Sequence, residues 1–413
     1  MEETNAKNSK SLLYKRNLYL DRMAPFFQKP IIKIISGMRR VGKSVLLHQI
    51  ADKLVAQGLT QDRICFIDME SLEFEHIKTH QDLAREVKKY FGSKKSNKCL
   101  FVDEVQEIQD WEKTIVSLAK NSEMDIYLSG SNAHMLSSDL ATRLSGRYIE
   151  IPVYPLGFDE FLEFRKAQQE DKKKEFLNYL QYGGLPAIHY FPLQESTVYQ
   201  YLRSIYDTIL MKDIVRRFDI RNMPLLESIV RFVGDNLGNF TSSNRIADYL
   251  KSQRIRMSVD TVLTYLGYLE SARLVHGVSR FDVKGKRHLE FTKKYFWGDI
   301  GLRHAVLGFR EGELAGVLEN IVYLELKRRG YEVSVGKLDQ LEIDFIATKE
   351  KKKIYVQVAY VLSSPKTVKR EFEPLLAIDD NYPKYVVSTD EIFGNDYQGI
   401  QRLNIVDFLL GDA

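Results

Sequence analysis

The hydrophobic positions change their period along the chain, and the changes divide it into segments. Residues 31–36 (Ile31-Ile32-Lys33-Ile34-Ile35-Ser36) are a nearly continuous β-branched run, the pattern of a parallel strand buried on both faces. Soon after it, Val45, Leu46, Leu47 and Ile50 recur at helical spacing. Further apolar runs at 64–67, 99–102 and 126–128 each end in acidic or small polar residues, with helical stretches at 80–91 and 110–120 between them. Residues 12–27 read as a helix that feeds into the first strand and packs beside the loop after it. Lys15, Arg16 and Arg22 form its solvated face. Strands alternating with helices predict an open, mostly parallel α/β sheet with polar groups gathered at the strands' C-terminal ends.

From Pro155 the period becomes helical: 158–164, 176–180 and 198–218, interrupted by Tyr182-Gly183-Gly184-Leu185-Pro186. Helices at 226–237, 245–250 and 261–270, followed by the apolar Leu274-Val275, predict a winged helix. The last of these helices, over 259–270 with Tyr265, Tyr268 and Glu270, takes the recognition position. The basic residues lie upstream of it (Lys251, Arg254, Arg256) and in the wing (Arg280, Lys284, Lys286, Arg287). A last unit follows: helix 313–329, strands 331–335, 342–347 and 353–360, helix 366–377 and strand 384–388. The expected division is 1–154 for the parallel-sheet core with its N-terminal helix, 155–224 for a helical lid or connector, 225–312 for the winged helix and 313–413 for the final α/β unit.

Candidate chemistry sharpens the first segment. Gly37-Met38-Arg39-Arg40-Val41-Gly42-Lys43-Ser44 matches G-x-x-x-x-G-K-[ST] between a strand and a helix that includes Val45, the context that marks a P-loop. Glycines let the loop bend and bring its amides to a phosphate, and the helix start adds free N–H groups and a positive dipole end. Lys43 is expected on the β/γ-phosphates and Ser44 on Mg²⁺. At the end of the third run, Asp103 is expected to hold Mg²⁺ through water, and Glu104 to orient and deprotonate the water attacking the γ-phosphate. Ser131 or Asn132, ending the fourth strand, is expected beside that water, with a simple strand-to-loop transition as the other reading. Arg143 and Arg147 follow. An arginine here either steadies transition-state charge, in cis or across a subunit interface, or bridges to a local carboxylate.

Composition narrows the picture only a little. The chain has 413 residues, 44% of them hydrophobic, enough for two or three packed domains. A net charge of +4 does not by itself imply nucleic-acid binding. Cys65 and Cys99 have no metal-ligand spacing and read as buried free thiols. No N-terminal segment resembles a signal peptide and no apolar run reaches about 18 residues, so a soluble, cytoplasmic protein is expected.

In the last unit, Glu319 on a helix, Asp344 on a strand and Gln357 on the next strand stand at the spacing of a restriction-endonuclease-like core. Ala359 occupies the position where such a core carries its lysine, and Gln357 is a weaker metal ligand than a carboxylate. The unit reads as a nuclease fold that has lost catalysis.

Together, the segments Ser36–Ser44, Phe101–Gln106, Leu128–Asn132, Thr142–Arg147, Tyr182–Pro186 and Glu342–Phe345 make the chain resemble the prokaryotic AAA-type ATPases. These carry a C-terminal domain of unknown function that joins a winged helix to a restriction-endonuclease-like core. The resemblance implies an AAA-like core that binds ATP rather than GTP and no particular substrate. The resulting expectation is a Mg²⁺-dependent ATPase whose nucleotide state repositions a DNA- or protein-binding module at 225–413, with homo-oligomerisation left open. An ATP-gated metal-dependent nuclease and a nucleotide-switched binding module with little turnover are the alternatives.

Overall fold

The computed structural model describes residues 14–92, 97–121, 124–131, 143–144, 146–166, 171–255, 257–391 and 396–411. The chain divides into two compact units, Met1–Val153 and Tyr154–Ala413.

In the first unit, helix α1 (Asn17–Met23) precedes β1 (Ile32–Ser36), followed by α2 (Lys43–Ala56), β2 (Ile64–Asp68), α3 (His80–Phe91), β3 (Lys98–Asp103), α4 (Trp111–Asn121), β4 (Met124–Gly130) and β5 (Tyr148–Pro152). The strands pair in parallel in the order β2-β3-β4-β1-β5. Every residue of β1 and of β4 is buried, as expected of mostly apolar strands covered on both faces, and that includes Lys33 of β1 and Asp125 of β4. One layer of the core packs Ile32, Ile34, Ile67 and Val102 of the sheet against Leu83 and Val87 of α3 and Ile115 of α4. Each such side chain contributes roughly 1.5–3 kcal/mol by leaving water. Cys65 and Cys99 are buried free thiols, as expected, and burial pushes both up to about 12.

Two features depart from the sequence reading. β5 pairs with β1 on the side away from β4, with Ile35 opposite Ile151. The short, mixed run Tyr148-Ile149-Glu150-Ile151-Pro152 did not advertise it. Arg16 is not on a solvated face. It is 2% exposed, and its guanidinium donates to the Val41 carbonyl at 2.9 Å, while Gln49 Nε2 donates to the Tyr14 carbonyl at 2.8 Å. The segment before β1 is thus tied to the loop after it.

The second unit begins with helices α5 (Phe158–Arg165), α6 (Lys172–Tyr182), α7 (Glu195–Thr208, continued by a π-helical stretch Ile209–Val215) and α8 (Met223–Asp235). Next come β6 (Phe240–Thr241), α9 (Ser243–Ser252), α10 (Val259–Ser271), β7 (Val275–Asp282), β8 (Arg287–Trp297) and α11 (Ile300–Leu307). Ser242 and Ser258 cap α9 and α10 by accepting from the N–H groups of Arg245 and Thr261. The chain ends with α12 (Leu314–Arg328), β9 (Glu332–Leu338), β10 (Leu341–Lys349), β11 (Lys352–Val358), α13 (Pro365–Leu376), β12 (Lys384–Ser388), β13 (Asp396–Tyr397), β14 (Ile400–Asn404) and α14 (Ile405–Leu410). All its strands join one mixed sheet, β13-β14-β12-β11-β10-β9-β7-β8-β6. Within that sheet β7 pairs in parallel with β9, Arg280 opposite Val335 and Asp282 opposite Lys337.

The interrupting turn after α6 has a packing cause. Gly183 has φ +74°, and a Cβ there would lie 2.5 Å from an Asp299 carboxylate oxygen. A Cβ on Gly184 would lie 2.5 Å from the Leu156 carbonyl. The space goes to the Asp299 carboxylate, which caps α11 and accepts from Gly184 N–H at 2.8 Å and Leu302 N–H at 3.0 Å. Burial pushes Asp299 up to about 6 against those hydrogen bonds.

Candidate functional site

The site forms where the parallel strands end. Ser36 closes β1, Asp103 closes β3 and Gly130 closes β4, and Ser36 stands opposite Gly130 in register. The loop from Gly37 to Gly42 leaves β1 there and enters α2. Gly42 takes φ +94° and Arg40 φ +69°, so the loop turns through two left-handed positions. Gly37 is glycine for a different reason than bending. A Cβ there would stand 2.4 Å from the Val153 carbonyl oxygen, where the chain leaving β5 crosses the loop. Val153 N–H in turn donates to the Ser36 carbonyl at 2.7 Å.

Lys43 is buried at the start of α2. Its ammonium donates to the Met38 carbonyl at 3.2 Å and stands 3.5 Å from a Glu104 oxygen. Arg39, also buried, pairs with Glu70 at 2.9 Å. Met38 and Val41 are buried within the loop, Ser44 is exposed and Val45 half-buried.

Asp103 and Glu104 are adjacent, yet their environments drive them apart. Burial holds Asp103 above the ordinary carboxylate range despite hydrogen bonds from Ser129 and Ser44. Burial acts on Glu104 too, but the Lys43 charge, hydrogen bonds from Gln106 and Ser131, and the Arg39 charge outweigh it, leaving Glu104 below its ordinary value and ionised at neutral pH. Glu104 has φ +53°, a left-handed conformation that turns its side chain off the line of β3. Its own N–H donates to Ser129 Oγ at 3.0 Å.

Of the residues expected at the site, Lys43, Ser44, Asp103 and Glu104 come together. Asn132 lies outside the described residues. Ser131 is buried beside Glu104, with Gln106 Nε2 3.4 Å from its hydroxyl. Arg143 pairs with Glu112 of α4. Arg147 is exposed just before β5, and its carbonyl accepts from Ile32 N–H at 2.9 Å. That contact lies at the N-terminal ends of β1 and β5, a strand's length of roughly 13–17 Å from the Gly37 end. Within one chain, the fold does not bring Arg147 to Lys43.

Sequence reasoning assigned no role to Gln106 or Ser129. Gln106 donates to the Glu104 carboxylate, and its buried Oε1 has no hydrogen-bond partner among the described residues. Ser129 donates to Asp103. A polar residue two positions after the acidic pair, and a serine inside an otherwise apolar strand end, were the available signals.

Residues 29–162 match the family model of an AAA domain, and residues 173–313 match the Domain of unknown function (DUF8612). Over 406 residues the chain is 38% identical to an uncharacterized protein of Haemophilus influenzae, covering 97% of this chain and 100% of that protein. The chain belongs to that family. It is an AAA-type P-loop ATPase domain followed by an uncharacterized C-terminal region. An uncharacterized protein of Methanocaldococcus jannaschii is 31% identical over 345 residues, 80% of this chain and 75% of that protein. Among solved structures, a variant of Thermotoga maritima RuvB is 18% identical with a TM-score of 0.33, covering 63% of this chain and 87% of that one. Aeropyrum pernix ORC1, solved with DNA, is 13% identical with a TM-score of 0.31, covering 71% and 92%. No helix among the described residues of the AAA protein is long and apolar enough to cross a membrane.

Proposed function

We propose that the protein is a Mg²⁺-dependent ATPase whose nucleotide state repositions a protein- or DNA-binding module formed by residues 225–413. The observation that carries the reading is the Lys43–Glu104 pair, 3.5 Å apart at the mouth of the P-loop, with Glu104 held ionised. The amides of residues 37–45 and the Lys43 ammonium bind the β- and γ-phosphates, while Arg39, Arg40 and Met38 shape the loop. Ser44 and Asp103 fit a hard cation, being oxygen donors joined by a hydrogen bond. Bound there, Mg²⁺ neutralises phosphate charge. The unpartnered Gln106 Oε1 beside Glu104 supports a ligand or water at this place. Glu104 takes the proton of the attacking water, and Gln106 holds the carboxylate in line.

An arginine acting on the γ-phosphate comes, on this reading, from a neighbouring copy of the chain. Arg147 is remote from Lys43 in its own subunit, and Arg143 is held by Glu112.

For the C-terminal module we read residues 225–312 as a winged helix and 313–413 as a restriction-endonuclease-like fold. The helix α10 carries no lysine or arginine and presents Leu263 at 52% exposure, which favours a protein partner at this helix; DNA contact is left to the basic wing. Affinity for DNA through the wing would fall steeply with salt.

Phosphate release tests the core of the proposal. Glu104→Gln should retain ATP and lose roughly 10²–10⁴-fold in turnover, the range for a general base. Equal rates for the two proteins would remove Glu104 from the mechanism.

A further inference from the structure

The second unit holds a cluster of carboxylates that ATP hydrolysis does not use. Glu319 projects from α12, Glu342 and Asp344 from β10, and Glu371 from α13. In a restriction-endonuclease-like core such carboxylates would hold a divalent cation, and the residues present can be tested for that fit.

The position is taken from an unexpected direction. Lys294 belongs to β8, upstream of the whole segment 313–413, and its side chain is 2% exposed. Its ammonium lies 3.0 Å from Glu319 Oε2, 2.6 Å from Glu342 Oε1 and 3.5 Å from Asp344 Oδ1, with the Phe240 ring 5.6 Å away. The other donors are committed as well. Val358 N–H donates to Asp344 Oδ2 at 2.9 Å. Gln357 accepts from Asp344 N–H at 3.2 Å and donates to Glu371 at 3.0 Å, so both ends of its amide are occupied. A hard cation needs six or more oxygens at about 2.0–2.6 Å and cannot share their centre with a buried ammonium. Among the described residues, no group of three or more acidic, histidine or cysteine side chains is arranged to hold a metal ion. The residues present do not fit the metal.

We propose that Lys294 is a built-in ammonium standing in for the divalent cation of this cluster, which makes the cluster a closed charge lock between β8, α12 and β10 and a cation site only once Lys294 is removed. The charges agree with the geometry. Burial opposes the Lys294 charge, but Asp344, Glu319 and Glu342 outweigh it and raise its pKa. Burial above all, and then the neighbouring Asp344, raise Glu319 in turn, against the Lys294 charge and hydrogen bond. Ala359 removes the usual lysine from β11's end, and Lys294 restores a positive charge from a different strand, aimed at the carboxylates themselves rather than at a substrate.

The test uses the full chain without nucleotide, with Mn²⁺ as the probe, followed by its electron paramagnetic resonance signal and by thermal melting. Wild type should bind no Mn²⁺ at this cluster and show no Mn²⁺-dependent melting. Lys294→Ala should gain one Mn²⁺ per chain, at least tenfold tighter than any wild-type binding, and Lys294→Ala/Asp344→Asn should lose it. If Lys294→Ala does not fold alone, Mn²⁺ should restore its cooperative melting, while Lys294→Met, which fills the space without charge, should not respond. Mn²⁺ binding or plasmid cleavage by wild type that disappears on Asp344→Asn overturns the proposal. So does a Lys294→Ala protein that neither binds Mn²⁺ nor is restored by it.

Discussion

Glu104 and Asp103 are neighbours in sequence with opposite electrostatic fates, and the difference comes from the groups that reach them. Asp103 receives two serine hydroxyls and is dominated by burial; Glu104 receives an ammonium, an amide and a hydroxyl, and stays ionised. Gln106 belongs to this arrangement by one end of its amide, which holds Glu104, while the other end is unpartnered among the described residues. On the ATPase reading, Gln106→Ala should lower turnover roughly 10-fold or more with little change in KM for ATP, because a misaligned base affects the transition state more than ground-state binding. Steady-state phosphate release over a range of ATP concentrations checks the split. A rise in KM with unchanged turnover would make Gln106 a binding residue instead.

At the scale of elements, the strand that carries the P-loop is pinned by a buried ion pair. Lys33 of β1 is fully buried and donates to Asp125 of β4 and to the Lys29 carbonyl; Asp125 also accepts from Gln28 N–H and Tyr127 Oη–H. Burial lowers the Lys33 pKa, and Asp125 works against that shift. Desolvation makes such a pair a poor source of net stability, but losing one partner strands the other. Asp125→Ala should therefore destabilise the protein by about 3–5 kcal/mol, and adding Lys33→Met should recover much of the loss. Urea denaturation of the two variants decides the point. If the double variant is no more stable than Asp125→Ala, the damage lies in the lost backbone and tyrosine hydrogen bonds. The apolar period identified β1, yet only the paired strand shows why it tolerates a lysine at its centre.

For the molecule as a whole, the sheet of the second unit runs without a break from β6 to β13. The elements read from sequence as a winged helix and as an endonuclease-like unit share it through the β7–β9 ladder and through Lys294. A fragment cut between residues 312 and 313 would expose the β9 edge and leave Glu319, Glu342 and Asp344 without their counter-ion. Fragment 313–413 should accordingly be unfolded or aggregated, whereas 154–413 should fold. Circular dichroism and protease resistance of the two fragments check this, and an independently stable 313–413 would show that the shared sheet is not needed for folding.

The sequence alone determined what is carried by contiguous residues. The strand–loop–helix around Gly37, Gly42, Lys43 and Ser44, the acidic end of β3 and most helix and strand positions follow from local period and spacing. Local backbone chemistry depends on neighbours a few residues apart. The tertiary structure decided what depends on residues meeting across the chain. It buried Arg16 against the loop, added β5 beside β1, gave Gly37 a carbonyl to avoid, aimed Gln106 at Glu104 and brought Lys294 to carboxylates 25 to 50 residues further on. A lysine in a strand has the same local pattern whether it faces water or a nest of acids, and only the closing of the sheet chooses between them.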